Sequence, residues 1–311
     1  MSARRSILIC TYGSAGDLLP YLAVGHELRR RGWHVTVGAP AVHAARIRGL
    51  GLGAAPIRPD KAVNEPDPDL WDRIRSGRAS PGALFSEMFL PSLRASFEDT
   101  LAAAGGVDVI LSHTLAFAAP IVAQRLGVAW ISGVVSPIAY FSRSDPPVVG
   151  PGWSGPALRA FGGSGARIAA AAKDGVLRAW SGEWRAIRRE CGLDDRGDPV
   201  SAQHSPLRAL ALFSPLLAAP QPDWPASALV TGFPFVDDPT AAGMEPDLGA
   251  FLDAGEPPLV VTLGTTAVNE AGGFYDAAAA AAGMLGLRAV LRVGSRPGHL
   301  PAAAARRAAH T

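Results

Sequence analysis

The chain opens with a change of hydrophobic period. Ile7 to Thr11 is a run of five apolar or β-favouring residues, the pattern of a short buried strand. A turn of mostly small residues follows, Tyr12-Gly13-Ser14-Ala15-Gly16, and ends on Asp17, its one carboxylate. Leu18, Leu19, Leu22, Val24 and Leu28 then recur at helical spacing among the polar Glu27, Arg29, Arg30 and Arg31, and Gly32 stops the helix as a glycine past a helix end does. His34 to Val37 alternates into a second strand. Together these predict one βαβ unit that opens a parallel sheet.

The alternation continues. Ala41 to Leu50 reads as a helix closed by Gly51, and Ala54 to Ile57 as a short strand. Arg58 to Pro81 is rich in Pro, Asp and Arg and reads as a loop with a short helix near Trp71. Phe85, Met88, Phe89, Leu93, Phe97 and Leu101 keep a helical period through Leu84 to Ala104, which Gly105-Gly106 ends. Val107 to Ser112 is a buried strand, Leu115 to Leu126 a helix stopped by Gly127, and Val128 to Val135 the next strand, a right-handed crossover by default. Ser136 to Pro156 reads as a surface loop, Ala157 to Cys191 as one or two helices, Leu207 to Phe213 as a strand and Ser214 to Trp224 as a connector. Late in the chain, Leu259 to Leu263, Phe274 to Leu285 and Arg288 to Val293 repeat strand, helix and strand.

Composition narrows the class. The 311 residues, 48% hydrophobic and 18% charged, suit a globular protein of about two domains. A net charge of +2 argues against a nucleic-acid partner. Cys10 lies inside the first strand, far from Cys191, so a reduced, cytoplasmic setting is expected rather than a disulfide scaffold. The apolar run at the start is too short for a signal peptide, and none approaches the ~18 residues of a spanning helix. Arg178, Arg185, Arg188 and Arg189 are expected to form a solvated helix face, with weak contact to an anionic membrane surface as the alternative. No Cys/His/Asp cluster has metal-ligand spacing, so no metal is expected.

Three stretches carry a resemblance. Gly13-Ser14-Ala15-Gly16-Asp17-Leu18-Leu19-Pro20, followed by a helix ending in Arg-Gly-Trp-His-Val-Thr, resembles the amino-terminal signature of nucleotide-sugar-dependent glycosyltransferases of the two-domain B-fold group, which includes sterol glucosyltransferases and antibiotic-tailoring enzymes. Ala211-Leu212-Phe213-Ser214-Pro215, Pro222-Asp223-Trp224-Pro225 and Val230-Thr231-Gly232-Phe233 are similar to the segment where that family passes from its first domain to its second. Pro257 to Thr265 resembles the first strand and donor-side turn of the second domain. The resemblance implies two Rossmann-like α/β domains: an acceptor-binding domain over residues 1–215, a connector over 216–240, and a nucleotide-sugar-binding domain over 241–311. That second domain is incomplete, because the family's His-Gly-Gly-x-Gly-Thr motif does not occur before Thr311.

What the resemblance implies for chemistry is hexose transfer, with inversion, from a nucleotide-diphosphate sugar to a hydroxyl of a lipophilic small-molecule or lipid acceptor. The nucleotide sugar is a co-substrate, and no cofactor is called for. Such transfer needs a base for the acceptor hydroxyl and stabilisation of the departing diphosphate. Asp17, at the carboxyl edge of the sheet, is the candidate base; the bland alternative is a helix cap. His113 ends a strand of the same edge and is the candidate partner, or else a residue that bonds the loop backbone. Gly13, Ser14 and Gly16 in the first turn, and Gly264, Thr265 and Thr266 after the late strand, are the candidate donor contacts; ordinary turn chemistry is their alternative. Trp71, Tyr140, Phe141 and Trp153 suggest an apolar acceptor.

Rival classes fail on named residues. A dinucleotide-binding dehydrogenase needs a glycine where Thr11 stands and an acid where Gly38-Ala39-Pro40 follows the second strand. Gly162-Gly163-Ser164-Gly165-Ala166 lacks the last glycine of a hydrolase nucleophile elbow. The remaining rival is a non-catalytic binding module that holds an apolar small molecule.

Overall fold

A computed structural model describes residues 5–60, 73, 78, 85–144, 175, 177–236, 243–264, 268 and 271–293. The chain divides into two compact units, residues 1–13 with 17–239 and residues 14–16 with 240–311.

The first unit is built on a parallel sheet. Its strands are β1 (Ser6–Cys10), β2 (His34–Ala39), β3 (Gly53–Pro56), β4 (Val109–His113), β5 (Ala129–Val134), β6 (Ala209–Ala211) and β7 (Ala228–Val230). They stand in the order β3-β2-β1-β4-β5-β6-β7. The chain lays down β1, β2 and β3 outward in one direction, then crosses back to place β4 on the other side of β1. This reversal is a topological switch point, where open α/β sheets leave a crevice beyond the strand ends. Cys10 is in register with Gly38 of β2 and Ser112 of β4, so the segments leaving β1 and β4 start side by side.

The period-2 alternation of β1 sends its side chains into two different cores. Ile7 and Ile9 pack with Leu18, Tyr21 and Leu22 of α1 (Ala15–Arg30) and Ile47 of α2 (Ala44–Gly49). Leu8 and Cys10 face the opposite core, against Phe97 of α3 (Leu93–Ala103), Ile121 of α4 (Ala119–Leu126) and Trp184 and Ile187 of α5 (Gly182–Glu190). Burying each of these large side chains contributes about 1.5–3 kcal/mol. With both faces covered, β1 can be apolar from Ile7 to Cys10, as its sequence is.

Several elements depart from the pattern-based expectation for physical reasons. The helix expected from Leu84 to Ala104 is broken. A π-turn (Phe85–Phe89) and a 3₁₀ turn (Leu90–Ser92) precede α3. Pro91 supplies no N–H and its ring obstructs the preceding turn, so the regular α-helix starts beyond it. The helix expected from Leu115 starts at Ala119, with Pro120 in its first turn where the missing N–H costs nothing. Within 216–240, expected as a connector, Ala228–Val230 adds the strand β7 to the first sheet. Arg188 is not on a solvated face. It is 8% exposed, lies over the Trp184 ring, and donates to Gln124 Oε1 at 3.0 Å and to the Asp194 carbonyl. Arg185 bonds the Gly197 carbonyl, Arg189 pairs with Asp195, and Arg178 is exposed. Residues 145–174, which hold Trp153 and most of the expected helix from Ala157, lie outside the described residues, as does Trp71.

In the second unit the described residues form α6 (Pro246–Asp253), then one βαβ unit: β8 (Leu259–Thr262), α7 (Phe274–Met284) and β9 (Ala289–Arg292). β8 and β9 pair in parallel, and the Tyr275 hydroxyl ties α7 to β9 by donating to the Arg292 carbonyl at 2.6 Å. α6 was not expected from the sequence; its eight residues include one Gly and one Pro, a weak helical signal.

Candidate active site

The turn after β1 is set by its backbone. The Thr11 N–H extends the β1–β2 pairing to the Gly38 carbonyl at 2.9 Å, and the Thr11 hydroxyl reaches across the turn to the Asp17 carbonyl, also at 2.9 Å. Ser14 holds the N-cap position of α1: its Oγ accepts the Gly16 N–H at 3.2 Å. Asp17 therefore sits in the first helical turn, where the helix dipole favours an anion. Gly13 has φ +138°, a backbone conformation that L side chains rarely adopt, and a Cβ there would lie 2.2 Å from Asp17 Oδ2. The bare glycine is what allows the carboxylate to fold back over the turn.

β4 delivers the second group. His113 is the last residue of β4, in register with Gly133 of β5, and its side chain is 2% exposed. Its Nε2 lies 3.5 Å from Asp17 Oδ1, a long contact at which charge and orientation still matter. Nδ1 accepts the Leu115 N–H at 3.4 Å, which assigns the ring proton to Nε2, the edge turned toward Asp17. Burial pushes the imidazole pKa down to about 4, against the opposing pull of the Asp17 carboxylate and a backbone hydrogen bond with Tyr12. At neutral pH the imidazole is thus neutral, with its Nε2 edge facing the Asp17 carboxylate. Asp17, with its side chain 25% exposed, is the member that solvent or a substrate can reach.

A narrow cleft of about 20 Å³ lies over the carboxyl ends of β1, β2 and β4, and neither Asp17 nor His113 lines it. Tyr12, Phe89, Leu93, Leu115 and Phe117 make its apolar wall, and Ser96 and Thr100 add hydroxyl-bearing positions. Tyr12 and Phe89 meet edge-to-face at 4.8 Å, and Phe89 and Phe117 at 5.7 Å. Cys10 also lines the cleft, but burial pushes its thiol up to about 12, so it is no nucleophile.

Of the aromatic residues expected at an acceptor site, Tyr140 and Phe141 do not line the cleft, and Trp71 and Trp153 lie outside the described residues. Tyr140 is buried elsewhere in the first unit, stacked between His204 at 5.0 Å and Trp224 at 4.3 Å. Phe141, half-buried, ends the turn that begins at Pro137. Tyr12, Phe89 and Phe117 went unnoticed as site residues because the sequence signals only that they are apolar. Of the candidate donor contacts, Gly13, Ser14 and Gly16 form the turn just described. Gly264 lies two residues beyond β8 with φ +78°, and its N–H donates to Thr262 Oγ1 at 3.3 Å. Thr265 and Thr266 lie outside the described residues. Among the described residues no three His, Cys, Asp or Glu side chains gather to hold a metal, and no helix is long and apolar enough to cross a membrane.

Residues 7–112 match the Glycosyltransferase family 28 N-terminal domain. Over 96% of its length the chain is 30% identical to O-mycaminosyltylonolide 6-deoxyallosyltransferase of Streptomyces fradiae, and the match covers 71% of that protein. Among solved structures, the glycotransferase of kitacinnamycin superposes with a TM-score of 0.61 at 20% identity, over 96% of this chain and 70% of that one. The spinosyn rhamnosyltransferase SpnG, complexed with thymidine diphosphate, superposes with a TM-score of 0.56 at 18% identity, over the same shares. The two superpositions show a shared fold.

Proposed function

The chain belongs to the nucleotide-sugar-dependent glycosyltransferases of the two-domain B fold, and we propose that it moves a hexose, with inversion, onto a hydroxyl of a lipophilic small molecule, with Asp17 as the base. The acceptor packs on the apolar wall beside Tyr12, at the mouth of the cleft, and presents its hydroxyl to the Asp17 carboxylate. As the acceptor oxygen forms its bond to the anomeric carbon, its proton passes to Asp17. The bond from that carbon to the diphosphate oxygen breaks on the opposite face, and the nucleoside diphosphate leaves with the electron pair. One displacement inverts the anomeric centre. His113 stays neutral and holds its Nε2 edge 3.5 Å from the carboxylate, which limits where Asp17 can turn without forming an ion pair.

The observation that carries this reading is the placement of a partly exposed carboxylate against a buried, neutral imidazole at the switch point of the sheet. Gly13, Ser14 and Gly16 of the first turn are candidate donor contacts, and Gly264, Thr265 and Thr266 after β8 are a separate candidate set. A thymidine diphosphate sugar is the first donor to try, because SpnG was solved with thymidine diphosphate. A cytoplasmic setting fits the two free cysteines. With Arg188 buried, a membrane-facing role for that helix has less support than a solvated one.

The test is a transfer assay with a panel of nucleotide sugars and apolar hydroxyl acceptors, run on the wild type and on Asp17→Asn. Transfer in the wild type, lowered by ~100-fold or more in a folded Asp17→Asn, is the expected result. Equal rates in the two would remove Asp17 from the chemistry. Saturable acceptor binding with no transfer from any donor would favour a binding module instead.

A further inference from the structure

Tyr21 lies one helical turn beyond Asp17 on α1, so the two side chains share a face of the helix. Its side chain is fully buried. The ring meets that of His113 edge-on, with centroids 5.5 Å apart and planes at 78°. The hydroxyl passes over β5 at Gly133, where a Cβ would stand 2.5 Å from it. A strand residue with any side chain would collide with the phenol, so Gly133 makes room for Tyr21 as Gly13 does for Asp17.

The ring, and not the hydroxyl, is what this position uses. The Tyr21 hydroxyl has no hydrogen-bond partner among the described residues, and a buried hydroxyl left unpaired costs stability that phenylalanine would not. What the position supplies is a wall. The imidazole of His113 is fixed along its edges by the Leu115 N–H, the Tyr12 backbone and the Asp17 carboxylate. Tyr21 closes the approach from α1. Asp17 and Tyr21, both on α1, are the ionisable side chains that face the ring.

We propose that Tyr21 is a positioning residue for the transfer reaction, its ring keeping His113 dry and holding the Nε2 edge toward Asp17. The inference rests on the assignment of Asp17 as base. Without the wall, water reaches the imidazole, and the penalty that keeps it neutral is relieved. A protonated His113 would then hold the Asp17 carboxylate in an ion pair and make it a weaker base. It would also be free to turn about its Cβ–Cγ bond and take Nε2 off the carboxylate.

The experiment is ¹⁵N NMR of the His113 ring nitrogens in the whole chain, for the wild type, Tyr21→Phe, Tyr21→Leu and Gly133→Ala. At about pH 5.5 the wild type and Tyr21→Phe should show a neutral ring with its proton on Nε2, while Tyr21→Leu should show a ring protonated in most molecules. Transfer by Tyr21→Leu should fall roughly 10-fold or more in kcat with acceptor KM unchanged, and Tyr21→Phe should restore it. Gly133→Ala presses on the phenol from β5, and disturbed His113 signals in that variant carry the same conclusion if Tyr21→Leu does not fold. A wild-type His113 spectrum in folded Tyr21→Leu overturns the proposal. So does Tyr21→Phe behaving as badly as Tyr21→Leu, since the hydroxyl and not the ring would then matter. The spectra are taken without substrate, so they stand apart from the base assignment, which Asp17→Asn tests on its own.

Discussion

A Cβ on Gly13 would lie 2.2 Å from Oδ2 of Asp17. The glycine is therefore the seat of the carboxylate, and its φ of +138° adds a backbone reason for the same residue. Gly13→Ala should strain the turn by about 1–3 kcal/mol. It should also displace Asp17 from His113, lowering transfer by ~100-fold while the rest of the first unit stays folded. Thermal unfolding followed by circular dichroism, together with the transfer rate, reads both effects. Wild-type turnover in Gly13→Ala would mean that the carboxylate position is not critical.

The Asp17–His113 contact predicts coupling. Residues that act as a unit lose function together, so Asp17→Asn combined with His113→Gln should cost less than the two single losses added in free energy. Rates for the four proteins of the cycle decide it. Strict additivity would show two independent roles.

Acid stability follows from the buried imidazole. His113 has a pKa of about 4 in the folded chain and an ordinary value of 6.5. The unfolded chain takes up a proton that the folded chain refuses. This contribution to stability is therefore complete above about 6.5, is lost progressively as pH falls to about 4, and stops changing below that, where both states are protonated. The loss is on the order of 3 kcal/mol across the window. His204, also held low by burial, adds in the same direction. Urea unfolding at about pH 7 and about pH 5 should show the difference, and His113→Gln should shrink it. A His113→Gln variant with the full wild-type slope would place the effect elsewhere.

The cleft beside Tyr12 should govern the acceptor and not the donor. Ser96 lines it and is half-buried, so a larger apolar side chain there takes up the space without opening the core. Ser96→Phe is expected to raise the acceptor KM about 10-fold or more, with donor KM unchanged. Equal shifts in both constants would argue that the cleft is not the acceptor site.

The local pattern alone determined the βαβ repeat, the strand–helix–strand order and the small-residue turn ending in Asp17, because each depends on neighbours in sequence. Strand alternation and a glycine after a helix act over a few residues, and a reader of the chain sees them directly. Short elements were harder. Ala228–Val230 is three residues long, too few for a period to show, and it became a strand because β6 offered an open edge. Pro91 stood in view, yet the helical spacing on both sides of it hid the break. The site itself was decided by tertiary structure. Asp17 and His113 meet because the chain returns across the sheet to put β4 beside β1, and the reason that His113 is neutral is burial, which no spacing encodes. Arg188 likewise reads as a surface charge until its guanidinium is placed over Trp184. Gly133 carries the same lesson: it is recognisable as a strand position, but the side chain that needs its missing Cβ, Tyr21 of α1, is brought there by three-dimensional packing, whereas Gly13 and Asp17 meet within one turn.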